Sequence, residues 1–153
     1  MDELKMKIKS INNALVTLKK AVNSYSKSLQ KVDISCLLKE QLFDEYSDFI
    51  RSLRDSLIQR FEYCVDLFWK FLKFYLENIE KVTLEFKSPR GIIRKAAESR
   101  LITEDDAKLA LEMIDYRNQS SHLYKEETAD FISKKIPDFY LLMRKIVDTV
   151  TKN

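Results

Sequence analysis

Leu4, Ile8, Ile11, Leu15, Leu18, Val22, Tyr25 and Leu29 recur at alternating gaps of four and three residues. That spacing puts all eight on one face of a helix. The stripe predicts an α-helix of about 27 residues that stops at the polar stretch "QKVDIS". A second stripe follows, through Leu38, Leu42, Tyr46, Phe49, Leu53, Leu57, Phe61, Val65, Phe68, Leu72, Tyr75 and Ile79, with no Gly or Pro inside it. One helix over that stretch would measure ~63 Å at 1.5 Å per residue. A compact chain of this size has a radius of gyration of only ~15 Å. The pattern therefore predicts a break near residues 44–48 or 52–56, or a protruding helix that serves an interface.

Shorter elements come next. Ser88-Pro89 reads as an N-cap and first helical position, opening a helix with Ile92, Ile93, Ala96 and Ala97. Thr103 and Asp106 have capping-box spacing, and the stripe they open is Ala107, Ala110 and Ile114, with Arg117 at its next position. The last stripe is Ala129, Ile132, Ile136, Tyr140, Met143, Val147 and Val150. Pro137 lies inside it and predicts a kink, because proline withholds one helical hydrogen bond. The sum is an all-α chain, a single domain over 1–153, folded as an up-and-down bundle of about five helices.

Composition sharpens this. One Gly and two Pro in 153 residues leave little turn material for a strand-rich fold. Hydrophobic residues at 45% and charged residues at 33% describe a folded chain. The net charge of +3 permits an anionic partner without demanding one. Cys36 and Cys64 form no C-x-x-C pair and there is one histidine, so no metal site and no cofactor is expected. The start "MDELKMKIKS" is charged from its second residue and "FWKFLKFYL" is too short to span a bilayer, which points to a cytoplasmic protein without a membrane partner.

The chemistry gathers in "DYRNQSSHLYKEE", residues 115–127. Arg117 extends an apolar stripe, so its guanidinium belongs at the core edge or an interface, or it binds the last carbonyls of its own helix. His122, the sole histidine, converges on Arg117 only if the helix ends between them, within "NQSS". Histidine moves protons near neutral pH. Arginine stabilises charge on phosphorus. Together they are a minimal kit for metal-free RNA cleavage, and one histidine per chain suggests two chains sharing a cleft. Arg60, Glu62 and Lys70 lie off the second apolar stripe, either on a solvated face or lining that cleft. Trp69 with Phe61, Phe68, Phe71, Phe74 and Tyr75 has core spacing, although such rings can also stack bases. Lys87, Arg90, Arg94, Lys95 and Arg100 form the densest basic stretch.

"RNQSSHLY" matches the R-x-x-x-x-H-x-Y motif, and the chain resembles HEPN-domain proteins of the nucleotidyltransferase substrate-binding branch. The similarity continues through residues 54–77, 88–102 and 109–129, and is weaker over 37–53. The resemblance implies a four-helix up-and-down bundle with an added short helix, similar to the C-terminal domain of kanamycin nucleotidyltransferase. It implies a homodimer partnered by a minimal nucleotidyltransferase from an adjacent gene. By position, it implies Arg117 and His122 as a catalytic pair, Asn118 and Ser121 as site-lining residues, and Tyr124 as the hydroxyl that receives AMP. In toxin–antitoxin members, such a protein is a metal-independent endoribonuclease toxin acting on RNA and silenced by that modification. The other expectation is a non-catalytic subunit that binds or presents a nucleotide substrate to the partner enzyme.

Overall fold

The first stripe becomes helix α1, Asp2–Gln30. It buries Ile11, Leu15, Leu18 and Tyr25, while Leu4, Ile8 and Val22 are half-buried and Leu29 is exposed. The structure, a computed structural model, describes residues 2–30, 40–121 (side chains from 44 onward) and 126–152. Leu38 lies outside the described residues.

Helix α2, Glu40–Asn78, is one unbroken helix of 39 residues, about 58 Å long. It passes through both stretches where a break was expected. The reason is its pairing with α1. The Tyr46 hydroxyl donates to the Ser28 carbonyl at 2.6 Å, and the Lys7 ammonium sits 5.1 Å from the centre of the Phe74 ring. The two helices therefore run antiparallel and support each other from Tyr46 to Phe74, so α2 does not protrude over that span either. The sphere-like estimate of size fails because the two helices lie side by side along an elongated bundle.

Helix α3, Pro89–Glu98, starts as predicted: the Ser88 hydroxyl accepts from the Gly91 N–H at 3.1 Å. Helix α4, Glu104–Ser120, starts with the Thr103 hydroxyl accepting from the Asp106 N–H at 3.1 Å. Helix α5, Glu126–Lys152, continues past Pro137 without interruption.

Where glycine would ordinarily end a helix, this chain uses Lys81 (φ 56°) and Arg100 (φ 60°) in the left-handed region. The backbone closes both ends, Val82 N–H on the Leu76 carbonyl at 2.9 Å and Leu101 N–H on the Ala96 carbonyl at 2.9 Å.

All five described helices contribute to one core. Its centre is aromatic: Phe61 of α2 stacks on Phe139 of α5 at 5.9 Å, and Tyr116 of α4 tilts against Phe139 at 5.3 Å. Phe61, Phe68, Phe71 and Tyr75 are buried, and Phe74 and Trp69 are half-buried, so the aromatic series on α2 packs chiefly inward. Tyr116 immediately precedes Arg117, so this aromatic packing fixes the last turns of α4 and with them the origin of the Arg117 side chain. No described helix is long and apolar enough to cross a membrane.

Candidate functional site

Arg117 stands near the end of α4 with its side chain 24% exposed. It does not fold back on its own helix end. Its Nε and Nη2 donate to the two oxygens of Asp66 at 3.2 and 3.1 Å, a two-pronged contact with α2. Its Nη1 lies 3.2 Å from Glu62, one turn earlier on α2. A guanidinium carries five N–H groups, and these contacts engage three of them. The remaining two have no partner among the described residues. The Asp66 hydrogen bonds, followed by the charges of Asp66 and Glu62, raise the Arg117 pKa above its ordinary value. Arg117 stays a cation at any working pH.

The end of α4 is closed by its serines. Ser120 Oγ donates to the Arg117 carbonyl at 2.6 Å, and Ser121 Oγ donates to the Asn118 carbonyl at 2.8 Å. Helix α4 thus stops at Ser120, between Arg117 and His122, as the "NQSS" stretch predicts. Asn118 and Ser121 are exposed beside this end. His122 and Tyr124 lie outside the described residues.

A second ion cluster stands at the start of α5. Arg54 of α2 is buried at 5% exposure. Its Nη1 donates to Glu126 at 2.6 Å and to Asp130 at 3.1 Å, and its Nη2 donates to Asp55 at 3.0 Å. Glu126 chiefly, with Asp55 and Asp130, raises the Arg54 pKa, while burial opposes it. Reciprocally, Arg54 holds the Glu126 carboxyl below the usual carboxylate range. Two opposite clamps therefore tie both ends of the motif region to α2. At the end of α4 the cation is on the motif side and the carboxylates on α2. At the start of α5 the polarity is reversed.

Of the predicted cleft residues, the structure brings only Glu62 to Arg117. Arg60 lines a cavity with Ser10, Asn13, Thr17 and Tyr63, on the α1 side of α2. Lys70 lies 5.8 Å from the centre of the Trp69 ring and lines the adjoining cavity with Lys7 and Ser10. Neither cation joins the Arg117 cluster among the described residues: Arg60 is on a different flank of the helix, and Lys70, one turn past Asp66, lies beside the Trp69 ring and the α1 side. The basic stretch is largely neutralised: Arg90 pairs with Asp115, Lys95 with Glu98 at 3.3 Å and Lys87 with Glu77 at 3.8 Å.

Sequence reasoning passed over Asp66 and Arg54. Both had a signal. Asp66 is four residues after Glu62, hence on the same helix face, and Arg54 lies in register with buried Ile58, Phe61 and Phe68. Among the described residues no three His, Cys, Asp or Glu side chains gather as metal ligands. Cys64 is sealed in the core, where burial pushes its thiol up to about 12, so it is not a nucleophile at neutral pH.

Comparison with known proteins agrees with this architecture. A protein from Thermus thermophilus with a known crystal structure is similar at 31% identity and TM-score 0.69, over 92% of this chain and 98% of that one. No curated protein sequence matches. The family model described as nucleotidyltransferase substrate binding protein like matches residues 6–152. With nearly its whole length inside that match, the chain belongs to the family of nucleotidyltransferase substrate-binding-like proteins.

Proposed function

We propose that this chain is the HEPN-type partner of a minimal nucleotidyltransferase, and that the end of α4 is a metal-independent RNA-cutting centre that the partner switches off. The observation that supports this most is the orientation of Arg117: Asp66 grips it by two prongs, and with Glu62 on a third N–H, two N–H groups have no partner among the described residues and could take a phosphate oxygen. A cation held in a fixed geometry stabilises charge developing on phosphorus without reorganising during the step. His122 follows five residues later and moves the proton from the 2′-hydroxyl or to the leaving oxygen. Glu62, 3.2 Å from Arg117, helps hold that cation in place. Asn118 and Ser121 line the approach. A homodimer would bring two such centres into one cleft. Attachment of AMP to Tyr124 would add a phosphate two residues from His122, where it competes for Arg117 and blocks RNA.

A second reading has its own observation. Two carboxylates already neutralise Arg117, as suits a subunit that presents a substrate to the partner enzyme and cuts nothing. Co-expression separates the two. On the cutting reading, the chain alone slows bacterial growth, His122→Ala relieves it, and the partner relieves it with a Tyr124 peptide heavier by AMP. Harmless expression, with an unmodified Tyr124 peptide beside an active partner, supports presentation.

A further inference from the structure

The groove between α1 and α2 has a composition that the Arg117 site does not use. Two cavities of about 250 and 130 Å³ adjoin there and share Ser10. Ser10, Asn13 and Thr17 supply small hydrogen-bonding groups along α1. Lys7, Arg60 and Lys70 supply three cations, and neither cavity is lined by a carboxylate. Of the three, Lys7 alone is in an ion pair among the described residues, with the exposed Glu3 at 3.8 Å, and Asp66, one turn before Lys70, is held by Arg117. Among the described residues, Arg60 and Lys70 are in no ion pair, unlike the basic residues of α3. Between them on the outer face of α2 stands Tyr63, a ring 63% exposed in a helix whose other aromatics mostly pack inward. The carboxylates nearest in sequence on α2, Glu62 and Asp66, are both engaged by Arg117.

Cations without counter-charges, interleaved with small polar groups and one exposed ring, are what a single nucleic-acid strand binds to. Lysine and arginine take the phosphates, and the ring stacks a base whatever its identity. Arg60 and Lys70 are ten positions apart, ~15 Å of helix, the length of about four stacked nucleotides. Arg117's carboxylate partners sit on the same helix, so a strand lying across α2 from the groove can reach that centre.

We infer that the α1–α2 groove is a binding track for single-stranded RNA, with Arg60 and Lys70 on phosphates and Tyr63 under a base. The inference rests on the cutting reading for the identity of the strand, and on the groove's own chemistry for its place. The test uses the full chain and a fluorescent 12-nucleotide single-stranded DNA, which lacks the 2′-hydroxyl and survives whether or not the protein cuts RNA. Anisotropy titrations at several salt concentrations should show binding. The double variant Arg60→Gln, Lys70→Gln should weaken it about tenfold and lower the salt slope by about 1.4, the effect of two lost phosphate contacts. Tyr63→Ala should weaken it about tenfold with the slope unchanged. A control that removes two exposed lysines outside the groove, Lys108→Gln with Lys134→Gln, should stay within about twofold. All these side chains are exposed, and circular dichroism checks that each variant is folded. Absence of binding, equal losses in control and groove variants, or unchanged affinity in the groove variants overturns the inference. Unchanged strand binding alongside lost capture of the nucleotidyltransferase also overturns it, by making the groove a protein-docking face. Groove-dependent binding by a protein that leaves RNA uncut would retain the track and remove the cutting centre. Cleavage that ignores the groove variants would do the reverse.

Discussion

Arg117 and Asp66, 51 positions apart in the chain, meet through two hydrogen bonds of 3.2 and 3.1 Å. The contact fixes a guanidinium plane, which one prong alone would leave free to rotate. Asp66→Asn keeps the shape, but its amide offers an acceptor to only one prong. If Arg117 serves RNA cleavage as proposed, this variant should cut about tenfold more slowly, with a stability change of at most about 1 kcal/mol because the pair is partly solvated. Single-turnover cleavage and thermal melts measure the two separately. A faster enzyme would mean that Asp66 restrains Arg117 and does not aim it.

The other clamp should matter more for folding. Arg54 is nearly inaccessible while its partners face water, so removing it loses links between α2 and α5 without burying bare charges. Arg54→Met should cost about 1–3 kcal/mol in denaturant unfolding. An unchanged midpoint and slope would show that α5 is seated by its apolar face alone.

That clamp also gives an acid limit. Arg54 depresses the folded-state pKa of Glu126 below its ordinary 4.5. The unfolded chain therefore takes up the proton first as pH falls. The stabilisation is complete above the ordinary carboxylate value and is lost as pH drops through the lower folded value. Melting temperatures followed from pH 7 down to about 3 should fall less steeply for Glu126→Gln than for the parent. Parallel curves would refute the linkage.

The chain's one glycine has a specific task. A Cβ built on Gly91 would lie 2.7 Å from the Phe86 Cβ and 2.9 Å from the Phe86 carbonyl oxygen. In an open helix Gly→Ala is worth up to about 1 kcal/mol of stabilisation. Here the clash should reverse the sign, and Gly91→Ala should destabilise by about 1–3 kcal/mol. A higher melting temperature would show that the residue 86 turn yields freely.

Much of this is readable from one-dimensional spacing. The stripe from Leu4 to Tyr25, the Ser88 and Thr103 caps and the stop after Arg117 depend on neighbours within a turn or two, and the structure has them. The length of α2 is not readable that way because it depends on a partner: α1 lies along it from Ser28 opposite Tyr46 to Lys7 opposite Phe74. In α5 the buried face includes Phe139, Leu142 and Ile146, which a single narrow stripe omits because that helix is packed by several neighbours. Arg117 is legible as a polar residue on an apolar stripe. Its partner is not, since nothing in the spacing says which carboxylate comes within reach across 51 residues. Arg60 and Lys70 group with Glu62 for being off the stripe, but one helix has two polar flanks, and these residues face different neighbours.

The proposed cutting of RNA by Arg117 and His122 is tested by incubating the purified full chain with a mixed, end-labelled RNA pool in EDTA and identifying the new ends. Cleavage should be unaffected by EDTA and should leave 2′,3′-cyclic phosphate termini. His122→Ala should slow it ~10²–10⁴-fold, and Arg117→Ala by about 10²–10³-fold. Arg117→Lys should recover only part, since lysine keeps the charge without the fork. An intact RNA pool with the parent chain, or cleavage undiminished in both alanine variants, would rule out a cutting centre at Arg117 and His122 and favour a subunit that presents substrate to a nucleotidyltransferase.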